Sequence, residues 1–330
     1  MSLHGVPILV TGADGFIGSH LVERLVRDGA RVRAFCLYNS QGSWGWLDHV
    51  SAEVRDSLDV RLGDIRDAGF VASACEGMSI VCHLAALIAI PYSYAAPASF
   101  IDTNITGTLN VLEAARRHGV GRVVHTSTSE VYGTPETVPI TESHPLNAQS
   151  PYAATKIAAD QLALSYHRSF GTPVTVLRPF NTYGPRQSTR AVLPTILTQL
   201  LAGKTEVALG NLTPQRDLTF VSDTVDGFVR AARTPGIDGE TIHLGTGEAV
   251  SIGDLFTTAC AALGVSATVR QDAQRLRPEA SEVQVLLSDP GLAKRRLDWQ
   301  AQVSLADGLA QTAAWLETHL GLYRTEGYHV

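Results

Sequence analysis

Three clusters of residues could do chemistry. The first is TGADGFIG, in which Gly12, Gly15 and Gly18 recur every three residues between an apolar strand at Ile8–Val10 and a helical repeat of Ile17, Leu21 and Leu25. A strand–turn–helix of this kind suits the pyrophosphate of a dinucleotide. The turn needs a residue without Cβ, the backbone must come close to the phosphates, and the helix N-terminus offers N–H groups and the positive end of its dipole. The second cluster is YAATK, where Tyr152 and Lys156 stand four apart and share one face of the helix they open. A free tyrosine titrates near 10, and bringing it to ~7 takes about 4 kcal/mol of differential stabilisation of the phenolate. Lys156 and an oxidised nicotinamide, both cationic, could supply it and make Tyr152 a general base for a substrate hydroxyl. The third is TSTSEVYG, Thr126–Gly133, where a branched, apolar strand ends in two threonines, two serines and the carboxylate Glu130. A carboxylate there could take a proton from carbon, but a C–H beside an alcohol carbon is too weakly acidic to be taken until that alcohol has become a ketone. The bland alternatives are a glycine-rich turn, a chance Y-x-x-x-K, and a surface charge or cap partner at Glu130.

The elements that must position these residues follow from the alternation of two periods. After the first strand and helix, stopped at Gly29, strands are expected at Val32–Leu37, Leu58–Leu62 and Ser79–Ala86. A helix carrying Ile105, Leu109 and Leu112 ends near Gly119. A strand follows at Arg122–Ser129, a long helix at Tyr152–Phe170 and a strand at Pro173–Phe180. Continuously apolar strands alternating with helices mean a parallel sheet covered on both faces, an α/β Rossmann-type fold. Past Phe180 the pattern loosens, with a helix near Leu193–Ala202 and one more sheet strand at Thr241–Gly247. The expected division is a dinucleotide-binding domain at 1–180 plus about 219–246, and a smaller α/β C-terminal substrate domain at 181–218 and 247–330.

Composition narrows the class. The chain has 330 residues, 45% apolar and 18% charged, as in a globular protein with a sizeable core. A net charge of −6 argues against a nucleic-acid or anionic-membrane partner. Cys36, Cys75, Cys82 and Cys260 lie in apolar runs without a C-x-x-C pair, as reduced, buried thiols of a cytoplasmic protein would. No run approaches the ~18 apolar residues of a membrane span. The opening MSLHGVPILVTG lacks the layout of a signal peptide. The eleven histidines show no metal-ligand spacing, so no metal is expected.

One feature departs from the dinucleotide pattern. An acidic residue should close the second strand and bind the adenosine ribose 2′-OH. That place falls on Cys36–Leu37–Tyr38–Asn39–Ser40, without a carboxylate, and no arginine follows to meet a 2′-phosphate, although Arg33 precedes it. Both NAD and NADP stay open, with NAD preferred. Trp44 and Trp46 could cover the cofactor or pack at a subunit contact.

The G-x-x-G-x-x-G spacing and the Tyr152–Lys156 pair resemble the extended branch of the short-chain dehydrogenase/reductase superfamily. TSTSEVYGT, SPYAATK, RPFNTYGPRQS, RDLTFVSDTVDGF and RLRPEASEV together resemble its nucleotide-sugar 4,6-dehydratases, from the glycine loop to about residue 290. FCLYNSQGSWGWLDHV and LIAIPYSY are similar to the N-acetylhexosamine nucleotide dehydratases of the legionaminic-acid type. The resemblance implies that Gly12, Gly15, Phe16, Ile17, Gly18, Asp64, Ile65, Leu84, Ala85 and Ala86 hold the cofactor together with Tyr152 and Lys156. Asp64 would contact the adenine, or would simply cap a helix. Thr128 would bond the reacting oxygen beside Tyr152. Ser129, Asn181, Arg186, Arg216 and Arg277 would bind substrate, the arginines clamping its phosphates, with a surface role the alternative for Arg186 and Arg277. His83 would order a strand end near the nicotinamide ribose rather than act as a base.

The triplet Thr128-Ser129-Glu130 resembles that of GDP-mannose dehydratases. The dTDP-glucose enzymes carry Thr-Asp-Glu, with an Asp that protonates the leaving hydroxyl, so Glu130 would have to serve as both base and acid. The activity implied is loss of water from UDP- or GDP-N-acetylglucosamine to give a 4-keto-6-deoxy sugar. A nucleotide-glucuronate decarboxylase, a 4-epimerase and a non-catalytic nucleotide-binding relative are the alternatives. Pairing of the helices carrying Leu109 and Tyr152 into a four-helix bundle would make a homodimer.

Overall fold

The computed structural model describes residues 2–324. Its centre is a seven-stranded parallel sheet in the order β3-β2-β1-β4-β5-β6-β10. These strands are β1 (Pro7–Thr11), β2 (Arg31–Leu37), β3 (Asp59–Gly63), β4 (Ile80–His83), β5 (Arg122–Thr126), β6 (Val174–Pro179) and β10 (Thr241–Leu244). Their residues are apolar almost without interruption because helices cover both faces. The strand order reverses between β1 and β4, which opens a crevice at the C-terminal strand ends. Register brings Thr11, His83 and His125 side by side there, so the glycine loop, the Leu84–Ala86 segment and TSTSE all leave the sheet at one edge.

The helices between these strands are α1 (Phe16–Arg27), α2 (Ala52–Asp56), α3 (Ala68–Cys75), α4 (Ile90–Ala95), α5 (Pro97–Phe100), α6 (Gly107–His118), α7 (Pro151–Phe170), α8 (Val192–Leu201) and α9 (Val221–Arg233). A π-helical turn, Ile101–Thr106, joins α5 to α6. Gly119, at φ 64°, ends α6 by taking the left-handed conformation that lets its N–H reach back to the last carbonyls. Ser150 caps α7 by accepting from Ala153 N, and Pro151 occupies the first helical position, where its missing N–H costs nothing.

The rest of the chain forms two small sheets. β7 (Asn181–Tyr183) pairs with β9 (Gln215–Phe220), which also pairs with β11 (Ala249–Ser251) and β13 (Val285–Leu286). β8 (Glu206–Leu209) pairs with β12 (Thr268–Gln271). α10 (Ile252–Leu263), α11 (Gly291–Leu297) and α12 (Leu305–His319) complete the chain, and Trp299 is buried with its indole N–H on the carbonyl of Asp223. The 181–218 and 247–330 division runs past the described residues at its C-terminal end.

Several expectations need correction. The fourth strand stops at His83 rather than Ala86. Leu84 and Ala85 turn across the glycine loop, donating to Thr11 O and Thr11 Oγ1, and a Cβ on Gly12 would lie 2.8 Å from Ala85 N. The fifth strand stops at Thr126, because Ser127 turns its hydroxyl inward to a buried carboxylate. Cys260 is half-buried, whereas the other three cysteines are buried. Trp46 packs within the chain on Trp315, centroids 5.6 Å apart.

The glycine loop has no room to spare. A Cβ on Gly18 would lie 2.0 Å from the carbonyl oxygen of Gly12, which is backbone and cannot swing aside. Gly18→Ala is therefore expected to destabilise the protein by about 1–3 kcal/mol. Chemical denaturation checks this, and an unchanged unfolding midpoint would contradict it.

Candidate active site

α7 delivers Tyr152 and Lys156 to the mouth of the crevice, both largely buried. Lys156 donates from Nζ to Thr126 O at 2.6 Å. Burial holds the Lys156 ammonium down at about 8, with Asp160 one turn along the helix opposing that effect. Burial also pushes the Tyr152 phenol up, a hydrogen bond with Thr128 lowers it, and the charges of Glu130 and Asp160 raise it further. The chain by itself thus keeps Tyr152 protonated.

Thr128 and Glu130 reach the same mouth by a short 3-10 turn, Ser129–Tyr132. Thr128 caps it, accepting from Glu130 N at 3.3 Å. Glu130 is therefore capped rather than capping, which leaves its carboxylate available. Ser129 beside it is buried.

Beneath these groups lies a buried network. Asp160, fully buried, accepts from Arg178 Nη2 at 2.7 Å, Ser127 Oγ at 2.5 Å and His125 Nε2 at 3.2 Å. Arg178 also donates to Tyr132 OH at 2.5 Å, and Tyr132 stands 2.5 Å from His243 Nε2. Burial and the Arg178 charge hold His243 down at about 3, so its neutral ring accepts from the Tyr132 hydroxyl. His83 lies between Thr11 Oγ1 at 2.8 Å and Thr108 Oγ1 at 3.1 Å, and burial among His125 and Lys156 keeps it neutral. It orders the ends of β1 and β4.

The start of β9 and the segment between β12 and β13 close the mouth from the other side. Arg216 donates to Glu282 Oε1 at 3.3 Å, and Arg277 Nη1 is 3.8 Å from both Glu282 and Glu130. That Arg277 nitrogen is buried and makes no hydrogen bond, and Asn181 Oδ1 is in the same state. Buried polar atoms are normally paired. An orphaned Arg277 nitrogen beside a second guanidinium and two carboxylates makes a site suited to a polar, anionic ligand. Ser281 sits over it, donating to Gln149 O at 2.6 Å and bonded to Tyr94 OH at 2.6 Å.

The glycine loop fits a dinucleotide. No side chain caps α1 at Gly15, so the first N–H groups of that helix, from Phe16 and Ile17 onward, are available to phosphate. Ile65 is buried against Gly107, fixing the turn after β3. Asp64 does not cap a helix: it binds Arg66, 2.5 Å away, while Asp67 caps α3.

Tyr152, Lys156, Thr128, Glu130, Arg216, Arg277 and Asn181 are thus brought around one mouth. Arg186 is not. Its Nη1 donates to Glu23 at 2.7 Å and Ser19 at 3.2 Å on the flank of α1, and this neutralised pair removes it from the clamp. Asp160, Arg178 and Glu282 were missed by sequence reasoning, as was Asp217. Asp217 is fully buried and accepts from Thr246, Gly247 and Ser288, which pins the strand that carries Arg216. The one available signal was a charged residue inside an apolar stretch. Among the described residues no group of three or more His, Cys, Asp or Glu is placed to hold a metal, and no helix is long and apolar enough to cross a membrane.

Fold and site together define a dinucleotide-binding enzyme of the extended short-chain dehydrogenase/reductase class. Residues 9–312 match the family model described as GDP-mannose 4,6 dehydratase, and the chain belongs to this family of nucleotide-sugar dehydratases and epimerases. It is 37% identical over 310 residues to a UDP-glucose 4-epimerase of Mycolicibacterium smegmatis, covering 92% of this chain and 96% of the relative. It is 35% identical to a dTDP-glucose 4,6-dehydratase of Actinoplanes sp., covering 93% of this chain and 97% of the relative. Among solved structures, the dTDP-glucose 4,6-dehydratase DesIV of Streptomyces venezuelae with NAD bound superposes with a TM-score of 0.88. Identity is 35%, over 96% of this chain and 99% of the other.

Lys156 sets a pH dependence. Its ammonium titrates near 10.5 in an unfolded chain and at about 8 here, so between those values the unfolded chain binds more protons and folding gains as pH rises. The unfolding free energy of the cofactor-free protein, relative to Lys156→Met, is expected to grow on the order of 2–3 kcal/mol from pH 7.5 to 10.5. Urea titrations of both proteins across that range check it; parallel pH curves would refute it.

Proposed function

We propose that the protein removes water from a nucleotide-activated hexose, with NAD recycled at each turnover, to give a 4-keto-6-deoxy sugar nucleotide. The observation that carries this reading is the Glu130 carboxylate, held beside Thr128 and Tyr152 at the mouth and only 3.8 Å from Arg277. A 4-epimerase needs no such carboxylate, whereas a dehydratase needs a base for C5. UDP- or GDP-N-acetylglucosamine is the proposed substrate, on the likeness of the loop after β2 and of LIAIPYSY to the legionaminic-acid type enzymes. Residues 181–218 and 247–330 would hold the nucleotide diphosphate, on Arg216 and Arg277, with Asn181 and Ser129 meeting the sugar.

Bound NAD supplies the hydride acceptor at C4 and the hydride donor at C6. Thr128 and Tyr152 hold the C4 oxygen, and Tyr152 takes its proton. An oxidised nicotinamide, if held there, would supply a positive charge to a phenol that the chain alone leaves protonated. Once C4 is a ketone, the C5 proton becomes acidic and Glu130 takes it. The C6 hydroxyl leaves as water, protonated by the carboxyl that Glu130 has just become. The proton that ends on C5 would come from solvent, since Glu130 has given its own to the leaving hydroxyl.

A second reading, 4-epimerisation, is favoured by the epimerase among the similar proteins. Glu130→Gln separates the two. The change spares Tyr152, Lys156 and Thr128, so substrate should still reduce the bound nicotinamide, but turnover should fall by about 10²-fold or more, and the 4-keto sugar should accumulate. Tyr152→Phe should abolish both steps. Mass spectrometry on a panel of nucleotide sugars distinguishes loss of water from loss of carbon dioxide and from no change. Full dehydratase turnover in Glu130→Gln would sink the role given to Glu130.

We also propose a homodimer through α6 and α7. Ile101 and Leu109 stand one above the other on the exposed side of the π-helical turn and α6, 50% and 37% exposed. An apolar stripe of this kind on a two-helix face suits a twofold partner. Light scattering is expected to give twice the 35.3 kDa chain mass, and Leu109→Glu to give a monomer. A monomeric wild type at micromolar concentration would remove the proposal.

A further inference from the structure

We infer that Asp14, inside the glycine loop, takes over the task of the missing carboxylate at the end of β2: it meets the adenosine ribose and makes the protein select NAD against NADP. The inference rests on the dinucleotide reading of the loop and goes beyond it by naming the residue that chooses.

Geometry carries the argument. In a doubly wound fold the adenosine ribose lies over the glycine turn, against the C-terminal end of the second strand, where a carboxylate accepts from its hydroxyls. β2 ends at Leu37 without one. The structure nevertheless puts a carboxylate there from another element. Asp14 Oδ2 accepts from Leu37 N at 3.2 Å, so the loop and the strand end are joined by this side chain. The backbone of the same residue is fixed as well: Trp46 N donates to Asp14 O at 3.0 Å, and a Cβ on Gly45 would lie 2.6 Å from that oxygen. The segment after β2 is therefore folded onto Asp14, which holds its carboxylate in place.

The cations that could welcome a 2′-phosphate are engaged elsewhere. Arg33 donates to Asp59 at 2.7 Å and to the carbonyls of Ala74 and Glu76. It also lies four residues before Leu37, about 13 Å down the strand. Arg61 pairs with Asp59 at 2.9 Å, and Arg66 with Asp64 at 2.5 Å. A ribose 2′-phosphate arriving at the end of β2 would meet the Asp14 carboxylate with no free guanidinium to offset the repulsion. A 2′-hydroxyl would find an acceptor.

The test is binding rather than turnover. Full-length protein stripped of cofactor is titrated calorimetrically with NAD+ and with NADP+, for wild type, Asp14→Asn and Asp14→Ser. Asn keeps an acceptor for Leu37 N and removes the charge; Ser is the second variant should Asn perturb the loop. Wild type is expected to bind NAD+ about 10²-fold tighter than NADP+. Either variant should cut that ratio at least ~10-fold, chiefly by a gain in NADP+ binding. A ratio that survives while both affinities fall together would make Asp14 a loop brace only and overturn the inference. So would a wild type that binds both dinucleotides alike, or loss of folding in both variants. Binding of neither by wild type would overturn the dinucleotide reading itself, and this inference with it.

Discussion

The site depends on one buried charge. Asp160 has no access to water, and an ionised carboxylate in that position survives only if its oxygens are bonded and its charge is met. Arg178 from β6 meets it, and Ser127 and His125 from the end of β5 fill the remaining positions. Three elements must therefore arrive in one register. α7 must present Asp160 inward, which turns Lys156, one turn earlier on the same helix, toward the strand ends. β5 must stop at Thr126 so that Ser127 can turn in, which starts the turn that carries Thr128 and Glu130. A buried pair is weak evidence for stability, since removing either partner strands the other at a cost of about 3–5 kcal/mol. Its consequence here is geometric, because it fixes where Tyr152 and Glu130 stand relative to each other.

The network continues past the sheet. Arg178 donates to Tyr132, Tyr132 meets His243, and the backbone N–H of His243 donates to Glu142 at 3.0 Å. Two residues before Glu142, Ile140 bridges to Ser288, whose hydroxyl donates to Asp217 at 2.6 Å. Asp217 follows Arg216 on β9. Hydrogen bonds joined by short stretches of chain thus link the carboxylate under α7 to the strand that carries Arg216. The two halves of the mouth are positioned by buried polar groups rather than by hydrophobic contact alone, and polar groups tolerate less misplacement.

Most of the scaffold was legible in the sequence. The seven sheet strands and helices α1, α6, α7 and α8 appear as alternating periods; strand ends shifted where residues leave the ladder for side-chain bonds, as at Leu84 and Ser127, and α3 and α9 were not read. The chemical residues were legible because their spacing is local: Tyr152 and Lys156 share a helix face, and the glycines share one turn. What could not be read depends on tertiary placement. Asp160 and Arg178 are 18 residues apart, and nothing local says that they meet. Arg186 looked like a clamp because it follows RPFNTYGP, but Glu23, far away in sequence, takes its charge. Small strands such as β7, β11 and β13, two or three residues long, carry no period at all.

Tyr152 shows how far the folded chain goes and what it leaves to its ligands. Burial and the nearby carboxylates Glu130 and Asp160 all push its phenol upward, and only Thr128 opposes them. Lys156 donates to Thr126 O from the same helix face. The protein alone thus holds an acid where the reaction needs a base. A cation placed beside the ring reverses that balance, and a neutral group in the same place does not. In an oxidised dinucleotide the nicotinamide carries that charge, and in the reduced form it does not. A ligand that brought a cation beside Tyr152 would therefore lower its phenol, whereas a neutral ligand would leave it high. The same burial that makes Tyr152 a poor base in isolation makes its response to a bound charge large, because little water is present to screen it.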